Sequence, residues 1–255
     1  MNYEVRKDSF SLPNVCGKKL EELTIQERMI IIFNIRSAIG EIKDHWYNAS
    51  KPIPQEDMSK IEQAENLGVK IFETLGFEEY LGSTQKTLDT AFDYFEKNNV
   101  LSEQGCWPEL TLEQKKIALT NVLGIFAKIQ SREMGIEVKP APIEWVRRQP
   151  FEAHTDANYK MPPEEYKISL NSDMPQFMQN MWDAIRAAMH EQIHIAQATL
   201  AHKRFTSERL PSPLEGVADY LIEQTECYIP SWRSEKLFSA QINEKAALLA
   251  TNYRP

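Results

Sequence analysis

The chain has 255 residues, of which 42% are hydrophobic and 26% charged, and its formal net charge is −8. A globular protein of this length can bury one large core or two smaller ones. The negative charge and the lack of a long basic tract argue against nucleic acid or an anionic membrane as the main partner. The longest apolar run, Met29–Phe33, is far too short to cross a bilayer.

The three cysteines are odd in number and widely spaced, which argues against a disulfide framework or a cysteine-only metal site. The first fifteen residues lack the apolar segment of a secretion signal. We therefore expect a reducing, cytoplasmic setting, although export by a route without such a signal would leave the same pattern.

The first hundred residues contain three predicted helices. A capping-box pattern at Thr24 opens a helix that runs to about Trp46. A second helix is expected over residues 55–75, and Ser83 or Thr84 begins a third. His45, in the first helix, has no second ligand at a useful spacing and is expected to be a surface or packing residue.

Short strands are predicted after a fourth helix, which spans about residues 111–134. Two candidates, Ile136–Val138 and Ile143–Val146, are separated by prolines. Residues 151–159 and 165–170 are expected to pair as an antiparallel ribbon, because the second of them alternates like a half-buried strand.

Three further helices are predicted to follow the strands. The first is long and runs from Asp173 to about Phe205, the second from Leu214 to about Ile229, and the last over residues 234–251.

The long helix carries the pattern His-Glu-x-x-His, as His190, Glu191 and His194. Residues four apart lie on one face of a helix, about 6 Å apart along its axis, so the two imidazoles can share one tetrahedral metal ion. Glu191 then lies beside the ion, where a water molecule needs a proton acceptor. The sequence therefore predicts a zinc hydrolase.

A third protein ligand must come from elsewhere in the chain. His202 lies about 12 Å further along the same helix and cannot reach the same ion, so a solvated histidine is expected there. The following helix offers Glu215, Glu223 and Glu226. Glu215 and Asp219 are one turn apart, as a carboxylate ligand and an acid that orients a ligating imidazole would be.

These residues resemble the gluzincin branch of zinc metallopeptidases, the thermolysin-like and minigluzincin type, which carries Glu-x-x-x-Asp on the helix after His-Glu-x-x-His. The matching residues here are His190, Glu191, His194, Glu215 and Asp219. Gln197 and Leu200 exclude the metzincin branch, and Leu214 replaces the asparagine that often precedes the third ligand in thermolysin-like enzymes.

The resemblance implies an α+β, mostly helical fold. A zincin-like metallopeptidase domain with a small mixed or antiparallel sheet, an active-site helix and a backing helix would span residues 109–255. Residues 1–108 would form a helical N-terminal extension.

By the same resemblance, His190, His194 and Glu215 would hold one Zn²⁺, and Asp219 would orient a ligand imidazole. Glu191 would be the general base for hydrolysis of a peptide or protein substrate. The strand residues Ile168, Ser169, Leu170 and Asn171 would bind the substrate backbone.

A donor for the oxyanion is also needed. The candidates are Tyr228, His154, Arg233 and Tyr159.

Other functions remain open from the sequence. A metallopeptidase-like module could bind without turnover, or the protein could be a delivered toxin or effector protease with one target. A di-iron bundle needs a second Glu-x-x-His, which neither His45 nor His154 supplies. A helical interaction protein without metal is the last alternative.

Overall fold

The computed structural model describes residues 19–100 and 104–252, without the side chains of residues 104, 105 and 226. The described residues are mostly helical and contain one small, mixed, three-stranded sheet, so the expected α+β class is confirmed. None of the described helices has the length and apolarity needed to cross a membrane. Cys16 lies outside the described residues.

The chain forms two compact units. The first consists of the chain up to Gly76 together with Glu223–Ile242, and the second of Phe77–Ile222 together with the segment from Asn243 onward. The observed division thus lies after Gly76 and not after residue 108, and the chain returns to the first unit late in the sequence.

The described part of the first unit includes the helices α1 (Ile25–Asn48), α2 (Gln55–Glu73) and α8 (Glu235–Ala240). The predicted capping box is present, because the Thr24 hydroxyl accepts a hydrogen bond from the Glu27 amide at 3.2 Å. Helices α2 and α8 touch closely at Gly68, where a Cβ atom would lie 2.5 Å from Leu237. A small residue at this position therefore allows the contact.

The remaining helices are α3 (Glu78–Lys97), α4 (Leu112–Met134), α5 (Pro175–Gln179), α6 (Met181–Phe205), α7 (Ser212–Cys227) and α9 (Ile242–Asn252).

Helix α3 begins at Glu78, before the predicted start, and belongs to the second unit. Its Lys86 pairs with Glu133 of α4 at 2.8 Å. The ring of Phe92 stacks on Trp182 of α6, with centroids 5.7 Å apart. These contacts explain why the boundary between the units precedes α3.

The helix predicted from Asp173 is split into α5 and α6. Asn180 begins α6, because its side chain accepts a hydrogen bond from the Trp182 amide at 2.9 Å. The Asp173 carboxylate instead accepts from the Arg148 amide at 2.7 Å. The predicted last helix is also interrupted, at Gln241, between α8 and α9.

The sheet contains β1 (Ile143–Val146), β2 (Ala153–Asp156) and β3 (Lys167–Asn171) in the order β1-β3-β2. β3 pairs in parallel with β1 and antiparallel with β2, as the predicted ribbon required. Residues 136–138, predicted as a strand, lie outside these three strands.

The strand predicted to bind substrate is the central strand of this sheet. Ile168, Ser169, Leu170 and Asn171 all belong to β3, which is paired on both sides. Its backbone groups are already used, so the prediction that these residues add a substrate strand is wrong. The antiparallel edge strand is β2.

Candidate metal centre

Buried contacts on several sides of α6 fix the His-Glu-x-x-His segment. Gln192 is fully buried, accepts a hydrogen bond from the Ala141 amide and donates one to the Lys139 carbonyl, both at 3.1 Å. Ile193 is buried beside it. His190 and His194 are four residues apart and therefore share one side of α6, which contacts α9 through Thr251 and Glu244.

The two imidazoles and a carboxylate from α9 form a compact cluster. The Nε2 atoms of His190 and His194 are 3.2 Å apart. The Oε2 atom of Glu244 lies 3.6 Å from Nε2 of His194 and 4.0 Å from Nε2 of His190. Two nitrogens bound to one tetrahedral ion at ordinary Zn–N lengths would be roughly 3.3 Å apart. The donor atoms therefore fit a single shared ion, and the three residues could bind a metal.

Glu244 takes the place that the sequence suggested for Glu215. The Glu215 side chain is exposed on the first turn of α7, outside this cluster. Glu223 belongs to the first unit, and the side chain of Glu226 lies outside the described residues. Among the described residues, the carboxylate beside both histidines is that of Glu244.

Charge and burial act in opposite directions on the two histidines. Burial lowers the pKa of His190, and the neighbouring His194 lowers it further. Burial alone would also lower the pKa of His194, but the charge and hydrogen bond of Glu244 outweigh it and raise that pKa to about 9. A proton on the cluster is therefore held by His194, beside the Glu244 carboxylate.

Gln197, one turn past His194, fixes which nitrogen of that ring faces the cluster. Its Nε2 atom donates to the carbonyl of Asn243 at 3.1 Å, so its Oε1 atom faces Nδ1 of His194 at 2.8 Å. An amide oxygen only accepts, so the proton of a neutral His194 lies on Nδ1 and the lone pair of Nε2 is available to a metal.

The hydroxyl of Thr251 lies 3.1 Å from Nδ1 of His190 and helps to orient the first imidazole. These outer contacts replace the predicted one from Asp219. The Asp219 carboxylate is bound by Arg204 through two hydrogen bonds, at 2.7 and 3.2 Å. The assignment of Asp219 as the residue that orients a ligand imidazole is therefore corrected to Gln197 and Thr251.

Glu191 faces the edge strand. Its side chain is buried, and its Oε2 atom accepts a hydrogen bond from the Thr155 hydroxyl at 2.5 Å. The charge of Glu191 also raises the pKa of both histidines, although burial and His194 leave that of His190 lowered. Glu191 therefore lies near the cluster without being one of its three members, as the motif predicts.

The predicted oxyanion donors do not gather around Glu191. Thr155 points towards α6, and neighbouring residues of a strand point to opposite faces, so His154 faces away and its exposed ring packs on Phe151. The ring of Tyr159 is buried against Phe205.

The other two candidates, Tyr228 and Arg233, belong to the first unit. There Tyr228 packs near Phe238 and Arg233 pairs with Asp44.

The remaining histidines have ordinary structural contacts. His45 packs edge-on against Trp46, in line with its predicted packing role. His202, expected to be solvated, is half-buried, and its Nδ1 atom lies 2.9 Å from the carbonyl oxygen of Tyr159.

The sequence contained one weak signal that Glu244 has a buried partner. Glu244 lies in the first turn of a helix rich in small residues, and Ala246, Ala247 and Ala250 of that helix are fully buried. An acid inside such a buried segment needs a partner, so its position indicates that Glu244 pairs with another group. Nothing in the spacing, however, connected it with His190 and His194, which lie at least fifty residues earlier.

Comparisons with models of known families, with curated proteins and with solved structures gave no significant match. The functional interpretation therefore depends on the residues of this chain and their geometry.

Proposed function

We propose that this protein is a zinc-dependent metallopeptidase in which His190, His194 and Glu244 hold one Zn²⁺. The observation that carries the proposal is the cluster of these three side chains on a helix whose motif also supplies Glu191. Two imidazoles and one carboxylate are a typical catalytic zinc set, because three protein ligands leave a fourth position open. A bound ion supplies Lewis-acid chemistry, by activating water and polarising a carbonyl oxygen.

Glu191 is the general base in this proposal. Its carboxylate accepts a proton from the attacking water as the water oxygen bonds to the peptide carbonyl carbon. The same carboxylate then returns the proton to the amine nitrogen as the C–N bond breaks. Because Thr155 holds Oε2, the Oε1 atom is the one left to face the water.

The surrounding elements support a zincin-like arrangement. An antiparallel edge strand, β2, precedes the motif helix in the sequence and is attached to it through Thr155 and Glu191. Helix α4 contacts β1, where the Trp145 indole donates to the Leu112 carbonyl at 3.0 Å. An extended peptide that pairs with the outer edge of β2 would lie close to Glu191, which favours a peptide or protein substrate.

A search for newly formed N-termini tests the proposal. Wild-type protein and the Glu191→Ala variant are each added to a proteome, and the new N-termini are compared. We expect cleavage by the wild type and a loss of about 10²–10⁴-fold in the variant, because the general base is gone.

Zinc content separates loss of chemistry from loss of the site. Glu191→Ala should keep one bound zinc per chain, because Glu191 is not a ligand. New N-termini produced equally well by Glu191→Ala would contradict the peptidase mechanism.

A further inference from the structure

Thr155 of β2 contacts Glu191 of the motif helix at two atoms. Its hydroxyl oxygen lies 2.5 Å from Oε2 of Glu191 and 3.1 Å from the backbone oxygen of the same residue. The shorter distance is typical of a hydroxyl that donates to an ionised carboxylate. Because a hydroxyl has one proton, we assign it mainly to the bond with Oε2.

This hydrogen bond is what fixes the direction of the Glu191 carboxylate. Among the residues that the structure describes, Thr155 alone donates a hydrogen bond to the Glu191 side chain. The Glu191 side chain is buried, and the terminal torsion of a glutamate is soft. Without the Thr155 hydroxyl, the carboxylate would therefore turn towards other donors.

The backbone of Thr155 faces the open edge of the sheet. The Asn171 amide of β3 donates to the Glu152 carbonyl at 2.8 Å, so Glu152 directs its backbone groups towards β3. Backbone groups alternate between the two sides of a strand, so those of Thr155, three residues later, face away from β3. None of the described strands pairs with that side of β2. Thr155 therefore offers its N–H and C=O groups to an extended peptide while its hydroxyl holds Glu191.

We propose that Thr155 is a positioning residue that aligns the general base with the substrate peptide. This inference rests on the proposed peptidase function. A peptide that pairs with the backbone of Thr155 is placed by the same residue that holds Oε2 of Glu191, so Oε1 keeps one direction relative to the peptide bond. Such alignment matters because a displacement of about 1 Å can cost about 100-fold in rate.

Replacing the hydroxyl tests the alignment. Thr155→Val removes the donor and keeps the backbone groups and a similar shape. With a peptide taken from a site that the wild type cleaves, kcat should fall about 10–100-fold and KM should change less than about twofold. Thr155→Ser restores a hydroxyl and should recover most of the rate. Unchanged kcat in Thr155→Val would overturn the proposal.

Zinc content separates misalignment from loss of folding. Both variants should keep one zinc per chain, because Thr155 lies outside the His190–His194–Glu244 cluster. The matched control is Thr199→Val on α6, which removes a buried hydroxyl that donates to the Ile195 carbonyl at 2.8 Å. This variant should keep the wild-type kcat. An equal loss of rate in Thr199→Val would contradict a specific role for Thr155.

A crystal structure of Thr155→Val tests the inference without an activity assay. The Glu191 carboxylate should turn away from β2, because a methyl group cannot donate to it. A carboxylate in the wild-type position would overturn the positioning role even if the peptidase function holds. Absence of cleavage by the wild type would instead overturn the peptidase function and the substrate alignment, whereas the position of Glu191 still decides whether Thr155 holds it.

Discussion

Helices α7 and α9 both follow the motif helix and both carry acids, yet their acids lie in opposite surroundings. Glu215 on α7 is exposed, and Asp219 one turn later is bound by Arg204 at 2.7 Å. On α9, the Glu244 side chain is only 5% exposed and lies beside His190 and His194. The difference shows that burial and the available partner, not sequence distance from the motif, decide which acid lies beside the two histidines.

Arg204 supplies a positive charge beside Glu215 and Asp219 of α7. The hydrogen bond and charge of Asp219 raise the pKa of Arg204, and the charge of Glu215 raises it further. These acids therefore have a cationic neighbour at the surface. Glu244 is buried beside two imidazoles, and a buried carboxylate requires a positive partner such as a protonated histidine or a metal ion.

The largest expected effect comes from the histidines that define the cluster. His190→Ala and His194→Ala should each reduce bound zinc from one per chain to nearly none, measured by elemental analysis of protein purified without added metal. His202→Ala is the matched control on the same helix and should keep its zinc. Stoichiometric zinc in a His190→Ala, His194→Ala double variant would exclude this centre.

Replacing one glutamate of each helix by glutamine tests the contrast between α7 and α9 directly. Glu244→Gln should weaken zinc binding by more than about 100-fold, because removing a ligand exceeds the usual effect of changing an outer contact. Glu215→Gln should leave it unchanged. Affinities come from competition with a chromophoric chelator, and the reverse result would restore Glu215 as the third ligand.

A smaller effect is expected from the residues behind the ligands. Gln197→Leu removes the acceptor for Nδ1 of His194, so zinc affinity should fall about 10–100-fold. Asp219→Asn should have no such effect, because Asp219 contacts Arg204. If Asp219→Asn weakened zinc binding as much as Gln197→Leu, α7 would belong to the metal centre after all.

The smallest effect concerns the stability of α7 itself. The Arg204–Asp219 pair is more than one-third exposed on both sides, so its coupling in a double-mutant cycle should be about 0.2–1 kcal/mol of unfolding free energy. Denaturant unfolding of Arg204→Ala, Asp219→Ala and the double variant measures it. Zinc content should be the same in all three proteins.

Local patterns predicted the regular elements well. Capping boxes at Thr24 and Thr111 marked the starts of α1 and α4, and both are present in the structure. Capping boxes can be predicted from sequence because each depends on two residues only three positions apart. The sequence does not show the split at Asn180, because both segments have helical patterns and a single residue with extended backbone separates them.

The pairing of strands that are far apart in the sequence was harder to predict. The alternation of β3 identified a half-buried strand, but it did not show that β1 would pair with its other side. Parallel partners are far apart in sequence, so their order is set by packing. The sequence pattern therefore favours Ile168–Asn171, and not β2, as the strand that pairs with substrate.

The sequence alone determined the helical class, the motif helix and the placing of His190 and His194 on one face, because all of these depend on residues within a few turns. Only the tertiary structure decided which carboxylate joins the two histidines and which residues hold the imidazoles. Glu244 and Thr251 reach the imidazoles because side chains of α9 contact α6, and no local sequence pattern predicts a contact between helices so far apart in the chain.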